Sequence, residues 1–510
     1  MTSGTRSSIP LVVVSLAAVA IALVLAATAP DIGPWGDGLG IVQALQDRSG
    51  ENPRAYHLGY FVLARLAAEV GGALGLHVEP SLIHLSRAAI AVGAATTVFA
   101  AVRCGARPSN AVGWIAVALA SPSLLFFSGT VEVHGVQFAG SAVALAVALE
   151  ALRVERAALR RILVGVAALI ALVVHLSHLL LVPAFLALLL LGRGRDLSRR
   201  DARGVLLLAL LGAGVAIGSW FVYDADRESS STLLLRAPWY LGLYEDLFLR
   251  FRSGYGWFGP VDVVRYLWHE GALQGGLVWV AALLALAPRR ATESESERDA
   301  TGRPVVARAA VVVLLVVYVL VVPQSGLRER GAYFVSLFPW FVVAASSASA
   351  ARGRAWRLAP WVLLPLQLVL SHADLAAYAR RPDARSWARV VVEEVDAPCT
   401  VYTADMVRLS ALPLDRVSAF QWTQQFEFTP RRAWDDTLRA PYEAALVDAL
   451  SKGALYLDSE ILGPDDGERT PAQQWARDLL DRPKIVLTEV PSPFGPGPLL
   501  HRVEWDASAG

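Results

Sequence analysis

The sequence predicts a mainly α-helical protein that crosses a membrane many times and carries a small α/β domain at its C-terminal end. Hydrophobic residues make up 55% of the 510-residue chain and charged residues only 18%, a composition that soluble proteins of this size rarely have. The apolar residues are gathered into runs long enough to cross a bilayer, which takes about 20 residues in a helix. Arginines cluster between these runs, in alternate connections. These observations predict a transmembrane bundle of about 11 spans.

The predicted spans all lie in a transmembrane domain over residues 1–371. They fall near residues 9–28, 83–102, 111–128, 131–149, 162–175, 179–191, 205–222, 272–287, 307–322, 332–349 and 358–370. The two runs between 162 and 191 are short. Counting them as one bent helix would make the number of spans even and reverse the predicted orientation of every later span.

The placement of arginine decides whether residues 162–191 are counted as one span or as two. The clusters at 103–107, 153–161, 193–203, 289–308 and 352–357 fall on one side only if 162–191 is crossed twice. The positive-inside rule then predicts a cytoplasmic N-terminus and an extracytoplasmic C-terminal domain. Ala27-Thr28-Ala29 could be a signal-peptidase site. However, this assignment of sides counts the first helix as a span, so we expect an uncleaved anchor. Lysine occurs only at Lys452 and Lys484, which is typical of a GC-rich bacterial genome and indicates a bacterial inner membrane.

The extracytoplasmic domain, residues 372–510, alternates short strand-like runs with helical patterns. We expect strands near 400–402, 454–457 and 484–487, and helices near 440–450 and 471–480. The domain has no glycine-rich phosphate loop and no nucleophile elbow, and we expect it to pack over the external loops. The charged segment 292–302 is expected to be a disordered linker.

The loop after the first span carries the most informative residue, Asp37, in the run Trp35-Gly36-Asp37-Gly38. A carboxylate at the membrane surface costs little to keep ionised and can face both water and a lipid-borne substrate. The flanking glycines permit a tight turn and a close approach to a ligand. The alternative is an Asp that caps a short helix beginning at Gly38.

Other polar residues lie at the predicted outer ends of spans. The stretch 56–76, interrupted by Arg65 and Glu69, predicts a helix lying in the membrane interface. Glu132 and His134 begin the fourth span, either in an interfacial turn or as a buried pair at the lip of a cavity.

Two further groups lie at the outer surface. His175 and His178 could share a helical face and bind a metal, but a turn between spans is the preferred interpretation. The turn 328–330, Arg328-Glu329-Arg330, runs against the positive-inside trend. These arginines are either ordinary flanking charges or ligands of an anionic lipid phosphate, which guanidinium groups bind bidentately.

These features together resemble the GT-C superfamily of lipid-phosphate-sugar glycosyltransferases. More narrowly, Gly36-Asp37-Gly38 followed by His57-Leu58-Gly59-Tyr60 is similar to the Gly-Asp-Ser-Gly-Glu and His-Pro-Pro-Gly-Tyr-Pro motifs of protein O-mannosyltransferase-like membrane proteins. Ser121-Pro122 to Glu132-Val133-His134 resembles their Ser-Pro…Glu-Val-Tyr stretch, and His178 falls where a histidine often follows. The chain departs from the motifs in lacking the second acidic residue after Asp37, in having one Leu58 for two prolines, and in having His134 for Tyr.

The resemblance implies sugar transfer from a polyprenyl-phosphate donor, which enters from the bilayer, to an extracytoplasmic glycan, lipid or protein. Asp37 would be the general base of a single inverting displacement. Arg328 and Arg330 would hold the phosphate, and the remaining implied substrate-binding residues are His57, Tyr60, Glu132, His134 and His178. No metal or other cofactor is demanded, although Glu132 with Asp37 could bind a metal, and no basic-aromatic surface suggests a nucleic-acid partner.

Two other classes of function stay open. A transporter or lipid flippase would also have many spans and embedded charges, but it should tolerate Asp37→Asn, and the chain lacks the internal repeat that many secondary transporters have. A non-catalytic envelope polysaccharide assembly protein would explain the motif departures and would transfer no sugar.

Overall fold

The chain forms two compact units. The computed structural model describes residues 9–35, 38–46, 58–191, 260–286, 303–325, 330–351, 354–379, 384–395, 399–403, 408, 412, 418–421, 444, 447–451, 454–462, 471–481, 485–493 and 498–505. The first unit comprises Met1–Leu249 and Gly259–Ala376, and the second comprises Arg250–Phe258 and Ala377–Gly510. The predicted span at 205–222 and the predicted linker at 292–302 lie outside the described residues.

The described part of the first unit is built from helices, with one pair of very short strands. Its helices are α1 Ile9–Thr28, α2 Gly38–Gln46, α3 Leu58–Ala73, α4 Val78–Arg103, α5 Pro108–Leu119, α6 Pro122–Ser128, α7 His134–Ala151, α8 Ala157–Val174, α9 Val182–Leu191, α10 Pro260–Tyr266, α11 Leu277–Leu286, α12 Arg303–Ser325, α13 Ala332–Val335, α14 Phe338–Ala351 and α15 Arg354–Ala379, which ends just beyond the unit. A 3-10 helix, Leu176–Leu181, precedes α9, and a π-helix, Leu267–Leu273, follows α10. The strands are β1 Gly33–Pro34 and β2 Thr130–Val131.

Several of these helices have the length and composition of membrane spans. Within the described ranges, α1, α4, α7, α8 and α15 meet both criteria, and the bent pair α5–α6 would make a sixth. Shorter apolar helices run over 177–189, 310–320 and 338–348. The protein is therefore a multi-pass membrane protein.

The third apolar run, 111–128, is broken where the sequence analysis expected a continuous span. The axes of α5 and α6 differ by 73°. The first helix ends at Leu119 and is followed by its C-cap Ala120. Ser121 caps the second helix, its hydroxyl accepting a hydrogen bond from the Leu124 N–H at 3.3 Å. Pro122 follows at the first helical position, where its missing N–H costs nothing. This break turns α6 away from the axis of α5, and only Gly129 separates α6 from β2.

The helices pack closely through small side chains. Ala18, Ala22 and Ala26 are all buried on α1, and a small residue at every fourth position lets two helices approach each other closely. Helix α1 packs on α4, and α7 lies between α4 and α8, buried along almost its whole length. The start of α7 is thereby fixed inside the unit.

Helix α3 has the two faces expected of a helix that lies against lipid. It buries Tyr60 and Ala64 and exposes Val62, Leu66 and Val70. The exposed residues are four apart, so they form one apolar stripe along the helix. This arrangement agrees with the predicted interfacial helix.

The second unit is a small α/β structure. It contains α16 Ala384–Glu394, β3 Cys399–Thr403, β4 Ser418–Gln421, β5 Ala454–Asp458, α17 Ser459–Leu462, α18 Pro471–Leu480, β6 Ile485–Pro491 and β7 Pro498–Trp505. The sheet order is β4-β3-β5-β7-β6, in which β4, β3 and β5 are parallel and β7 is antiparallel to both neighbours. Helix α18 has the predicted bounds, whereas β4 and β7 were not predicted from the sequence.

Candidate active site

The predicted site residues divide into those that the structure describes and those that it does not. Asp37, His57 and Arg328 lie outside the described residues. The other five are Tyr60, Glu132, His134, His178 and Arg330, all of which belong to the first unit. The geometry around these five, and around Trp35 and Gly38 on either side of Asp37, defines the candidate site.

The loop after α1 is joined to β2 by backbone pairing. Gly33 pairs with Thr130 and Pro34 with Val131 as parallel strands. A Cβ added at Gly38 would overlap the Val131 carbonyl oxygen, so α2 begins directly against the backbone of β2. Only glycine permits this approach, and the residue after Val131 is Glu132.

Trp35 anchors the same loop on α6. Its ring lies 5.3 Å from the ring of Phe126 and 6.0 Å from that of Phe127, with steep interplanar angles in both pairs. Edge-to-face aromatic pairs of this kind stabilise a packing arrangement beyond their buried area. The described residues nearest Asp37 on both sides are therefore held against the segment from α6 to β2.

Arg330 lies in a backbone turn that the surrounding helices hold in place. Its φ of 50° and the 74° of Gly331 are both left-handed, which costs a non-glycine residue about 1–2 kcal/mol. The Ser123 hydroxyl lies 2.8 Å from the Arg330 carbonyl oxygen, and the Gly331 N–H donates to Glu270 Oε2 at 2.8 Å. Strain that the surroundings maintain in this way is a common property of ligand-binding positions.

The Arg330 side chain lies over an aromatic ring and beside a carboxylate. Its guanidinium carbon is 4.5 Å from the centre of the Phe126 ring, and one guanidinium nitrogen forms an ion pair with Asp374 of α15. A guanidinium stacked on an aromatic face can still form in-plane hydrogen bonds to an anion at its edge. Among the described residues, the anion that pairs with Arg330 is the Asp374 carboxylate.

Two phenylalanines connect Arg330 to His134. The rings of Phe126 and Phe127 are 5.4 Å apart, and the Phe127 ring is 4.5 Å from the His134 ring. Trp35 contacts both phenylalanines, so the loop after α1, the Arg330 turn and the start of α7 all meet at α6. These three parts of the chain are distant in sequence, and their convergence defines one polar and aromatic site.

Glu132 and Tyr60 form the buried side of this site. Both side chains are buried, and the Tyr60 hydroxyl has no hydrogen-bond partner among the described residues. Burial raises the pKa of Tyr60, and the nearby charge of Glu132 raises it further, so the phenol is neutral and able to donate a hydrogen bond. Glu132 Oε1 accepts a hydrogen bond from the Val133 N–H at 3.1 Å. An unpartnered buried hydroxyl is costly, which marks Tyr60 as a position where a ligand group would be stabilising.

The histidines of the following corner pack beside the same site. His134 Nε2 lies 4.0 Å from Glu132 Oε1, the His134 and His175 rings are 6.3 Å apart, and the His175 and His178 rings are 6.2 Å apart. His178 Nδ1 donates to the Ala171 carbonyl oxygen at 2.7 Å, which leaves its buried Nε2 without a partner in the described part of the chain. No group of three or more His, Cys, Asp or Glu side chains in that part is arranged to hold a metal ion.

Comparison with solved structures identifies the architecture. The chain is similar to ArnT from Cupriavidus metallidurans, whose crystal structure is bound to undecaprenyl phosphate, with a TM-score of 0.52 at 13% identity over 99% of this chain and 100% of that one. It is also similar to the Archaeoglobus fulgidus oligosaccharyltransferase, solved in complex with Zn and sulfate, with a TM-score of 0.50 at 11% identity over 88% of this chain and 68% of that one. Both are GT-C membrane glycosyltransferases. The chain has the GT-C fold. The predicted, mainly α-helical membrane fold is thereby confirmed, whereas the number of spans stays a prediction. No protein-family model and no curated protein sequence matches the chain.

Several polar residues of this candidate site were not predicted from the sequence. They are Gln137, Ser177, Glu270 and Asp374. Gln137 contacts His134 and Ser177, whereas Glu270 contacts Gly331 and Asp374 contacts Arg330. None lies in a recognisable motif. Gln137 is three positions from His134, but the other contacts join positions at least 40 apart in the chain. The π-helix around Glu270 could have been a signal, since such irregular turns are frequent at functional sites, but it has no pattern that can be seen in a single sequence.

Proposed function

We propose that this protein is a membrane glycosyltransferase that moves a sugar from a polyprenyl-phosphate donor to an extracytoplasmic acceptor. The observation that carries the proposal is the convergence at α6 of the loop after α1, the Glu132–His134 segment and the Arg330 turn, in a chain with the GT-C fold. The ArnT structure holds undecaprenyl phosphate, which is a polyprenyl phosphate, and this supports the same class of lipid as the partner here.

Arg330 is the proposed ligand of the donor phosphate. Its backbone is held by Ser123 and Glu270, and its guanidinium is oriented by the Phe126 ring. A leaving phosphate gains negative charge as the glycosidic bond breaks, so a cation fixed in advance stabilises the transition state more than the ground state. Arg328 is two residues away in sequence and is proposed to assist.

Asp37 is the proposed general base. It directly precedes Gly38 in the sequence, and Gly38 packs against the backbone of β2. In the proposed step the carboxylate takes the acceptor hydroxyl proton as the acceptor oxygen bonds to the anomeric carbon. The bond from that carbon to the phosphate oxygen breaks with its electron pair, releasing polyprenyl phosphate. One displacement of this kind inverts the anomeric centre.

The remaining predicted residues are proposed to hold the sugar. The Tyr60 hydroxyl and Glu132 supply a donor and an acceptor on the buried side, and His57, His134 and His178 are proposed to complete the surface. Sugar hydroxyl groups both donate and accept hydrogen bonds, so a mixed set of donors and acceptors suits them. The second unit is proposed to be extracytoplasmic, because the positive-inside rule predicts that side for it.

The test is an incubation of the purified protein in lipid nanodiscs with radiolabelled undecaprenyl-phosphate sugars and an envelope extract. We expect the label to move to extract material while undecaprenyl phosphate is released. Movement of labelled lipid across a vesicle bilayer without any sugar transfer would identify a flippase instead. Absence of both activities with every donor supplied would contradict the proposal and favour a non-catalytic assembly role.

A further inference from the structure

A series of hydrogen-bonded polar side chains runs from the start of α7 to the corner after α8. His134 Nδ1 lies 2.7 Å from Gln137 Oε1, and Gln137 Nε2 donates to Ser177 Oγ at 3.1 Å. Ser177 Oγ in turn lies 2.6 Å from His175 Nδ1. His134, Gln137 and His175 are all buried, so a mismatched donor or acceptor in the series would be costly.

The series has only one direction in which every hydrogen bond has a donor and an acceptor. The Ser177 backbone N–H donates to His175 Nδ1 at 3.0 Å, so this nitrogen carries no proton. The Ser177 hydroxyl must therefore donate to it, and the same oxygen accepts from the Gln137 amide. Gln137 then turns its carbonyl oxygen toward His134, whose Nδ1 must carry the proton. Reversing the amide would require Ser177 to donate to two acceptors with one proton.

This direction fixes the tautomer of His134. When the ring is neutral, Nδ1 carries the proton and Nε2 is an acceptor, 4.0 Å from Glu132 Oε1. Among the described residues, the ring lies beside the Glu132 carboxylate, 6.3 Å from the His175 ring and 4.5 Å from the apolar Phe127 ring. The Nε2 nitrogen and the Glu132 oxygen are thus two acceptors at a separation that lets sugar hydroxyl groups bind to both.

We propose that Gln137 and Ser177 are positioning residues that hold His134 in the Nδ1–H tautomer, so that Nε2 and Glu132 together accept hydrogen bonds from hydroxyl groups of the sugar. The sugar part of this inference rests on the proposed function, whereas the tautomer does not. Ser177 acts through Gln137, and Gln137 acts through His134.

The test is ¹⁵N NMR of the full-length protein in nanodiscs, labelled at the histidine ring nitrogens and measured at a pH where the imidazoles are neutral. The chain has nine histidines, and the His134 signals are assigned by their loss in His134→Gln. We expect His134 to show a protonated Nδ1 and an unprotonated Nε2. Gln137→Leu and Ser177→Ala should convert this to a mixture of tautomers, and Ser177→Thr, which retains the hydroxyl, should preserve the single tautomer.

Ser141→Ala is the matched control. Ser141 also lies on α7, and its hydroxyl donates to the Ser336 carbonyl oxygen at 2.6 Å and accepts from Trp340 Nε1 at 3.2 Å. Its loss removes buried hydrogen bonds without touching the series, so the His134 tautomer should not change. A single Nε2–H tautomer in the parent, or an unchanged Nδ1–H tautomer in both Gln137→Leu and Ser177→Ala, would overturn the proposal.

A kinetic measurement separates this inference from the proposed function. If the protein transfers sugar, Gln137→Leu should raise KM for the donor about tenfold, the usual effect of losing one or two hydrogen bonds, whereas Ser141→Ala should leave KM unchanged. An unchanged KM in Gln137→Leu would contradict the sugar-binding role. The tautomer measurement needs no turnover, so absence of sugar transfer from a protein with the expected tautomer would contradict only the proposed function and the sugar role.

Discussion

Asp374 should weaken the binding of the donor phosphate, because it occupies Arg330 when no lipid is bound. The two side chains are 34% and 18% exposed respectively, and ion pairs at this level of exposure contribute at most about 1 kcal/mol. Asp374→Asn keeps the shape of the side chain and removes its charge. Phosphate binding then no longer costs Arg330 its ion pair with Asp374, so the affinity for a polyprenyl phosphate should rise about fivefold, and more at low salt.

The assay is scintillation-proximity binding of radiolabelled undecaprenyl phosphate to the protein in nanodiscs. Glu150→Gln is the matched control, because Glu150 pairs with Arg103 at 2.6 and 2.8 Å with similar exposures of 33% and 37%. It lies near the opposite end of α7, about 24 Å from His134, and should not change the affinity. Arg330→Gln should weaken binding by about 10- to 100-fold, the range for a lost charged hydrogen bond.

The affinities of these variants distinguish phosphate binding by Arg330 from competition by Asp374. If Arg330→Gln weakens binding but Asp374→Asn does not strengthen it, Asp374 does not compete with the phosphate. If Arg330→Gln leaves the affinity unchanged, the phosphate does not bind at Arg330, and that part of the account is wrong.

Three further predictions concern packing, the site and topology. Gly38→Ala should lower the melting temperature, because the new Cβ would overlap the β2 backbone at a cost of about 1–3 kcal/mol; Gly72→Ala, whose Cβ meets nothing within 4 Å, should be neutral or stabilising, and equal melting temperatures would contradict the packing. Tyr60→Phe should retain the parent melting temperature, since its hydroxyl has no described partner, but should impair sugar transfer, and full activity would exclude the hydroxyl from the site. A reporter fused after Arg298 should indicate the cytoplasm and one fused after Arg385 the exterior, and a cytoplasmic signal at Arg385 would overturn the predicted topology.

The sequence was informative where a single local property decides the structure. Helix α1 and helix α18 have the predicted bounds, because an uninterrupted apolar run and a strongly amphipathic run each need only their own residues to be recognised. The break between α5 and α6 was missed, although Ser121 and Pro122 are ordinary signals for the start of a helix. The apolar residues on both sides made one continuous run, and hydropathy alone cannot show a bend.

The site was harder to predict because its contacts are long-range. The Ser123 hydroxyl contacts a carbonyl oxygen 207 positions away at Arg330, and Gln137 binds Ser177 across 40 positions. Such pairs depend on how α6, α7 and the Arg330 turn pack, and no spacing in the chain encodes them. The β1–β2 pairing involves only two residues in each strand, too few for an alternating pattern to be visible.

The most direct test of the central claim is the rate of sugar transfer by Asp37→Asn, measured beside the parent protein with the same labelled polyprenyl-phosphate sugar and acceptor extract. Asn keeps the size of the side chain and its capacity to cap a helix, but it cannot take a proton from the acceptor. The account predicts that the variant inserts and folds as the parent does, yet transfers sugar about 10²- to 10⁴-fold more slowly. Transfer at the parent rate would contradict the account, because it would remove Asp37 from the mechanism.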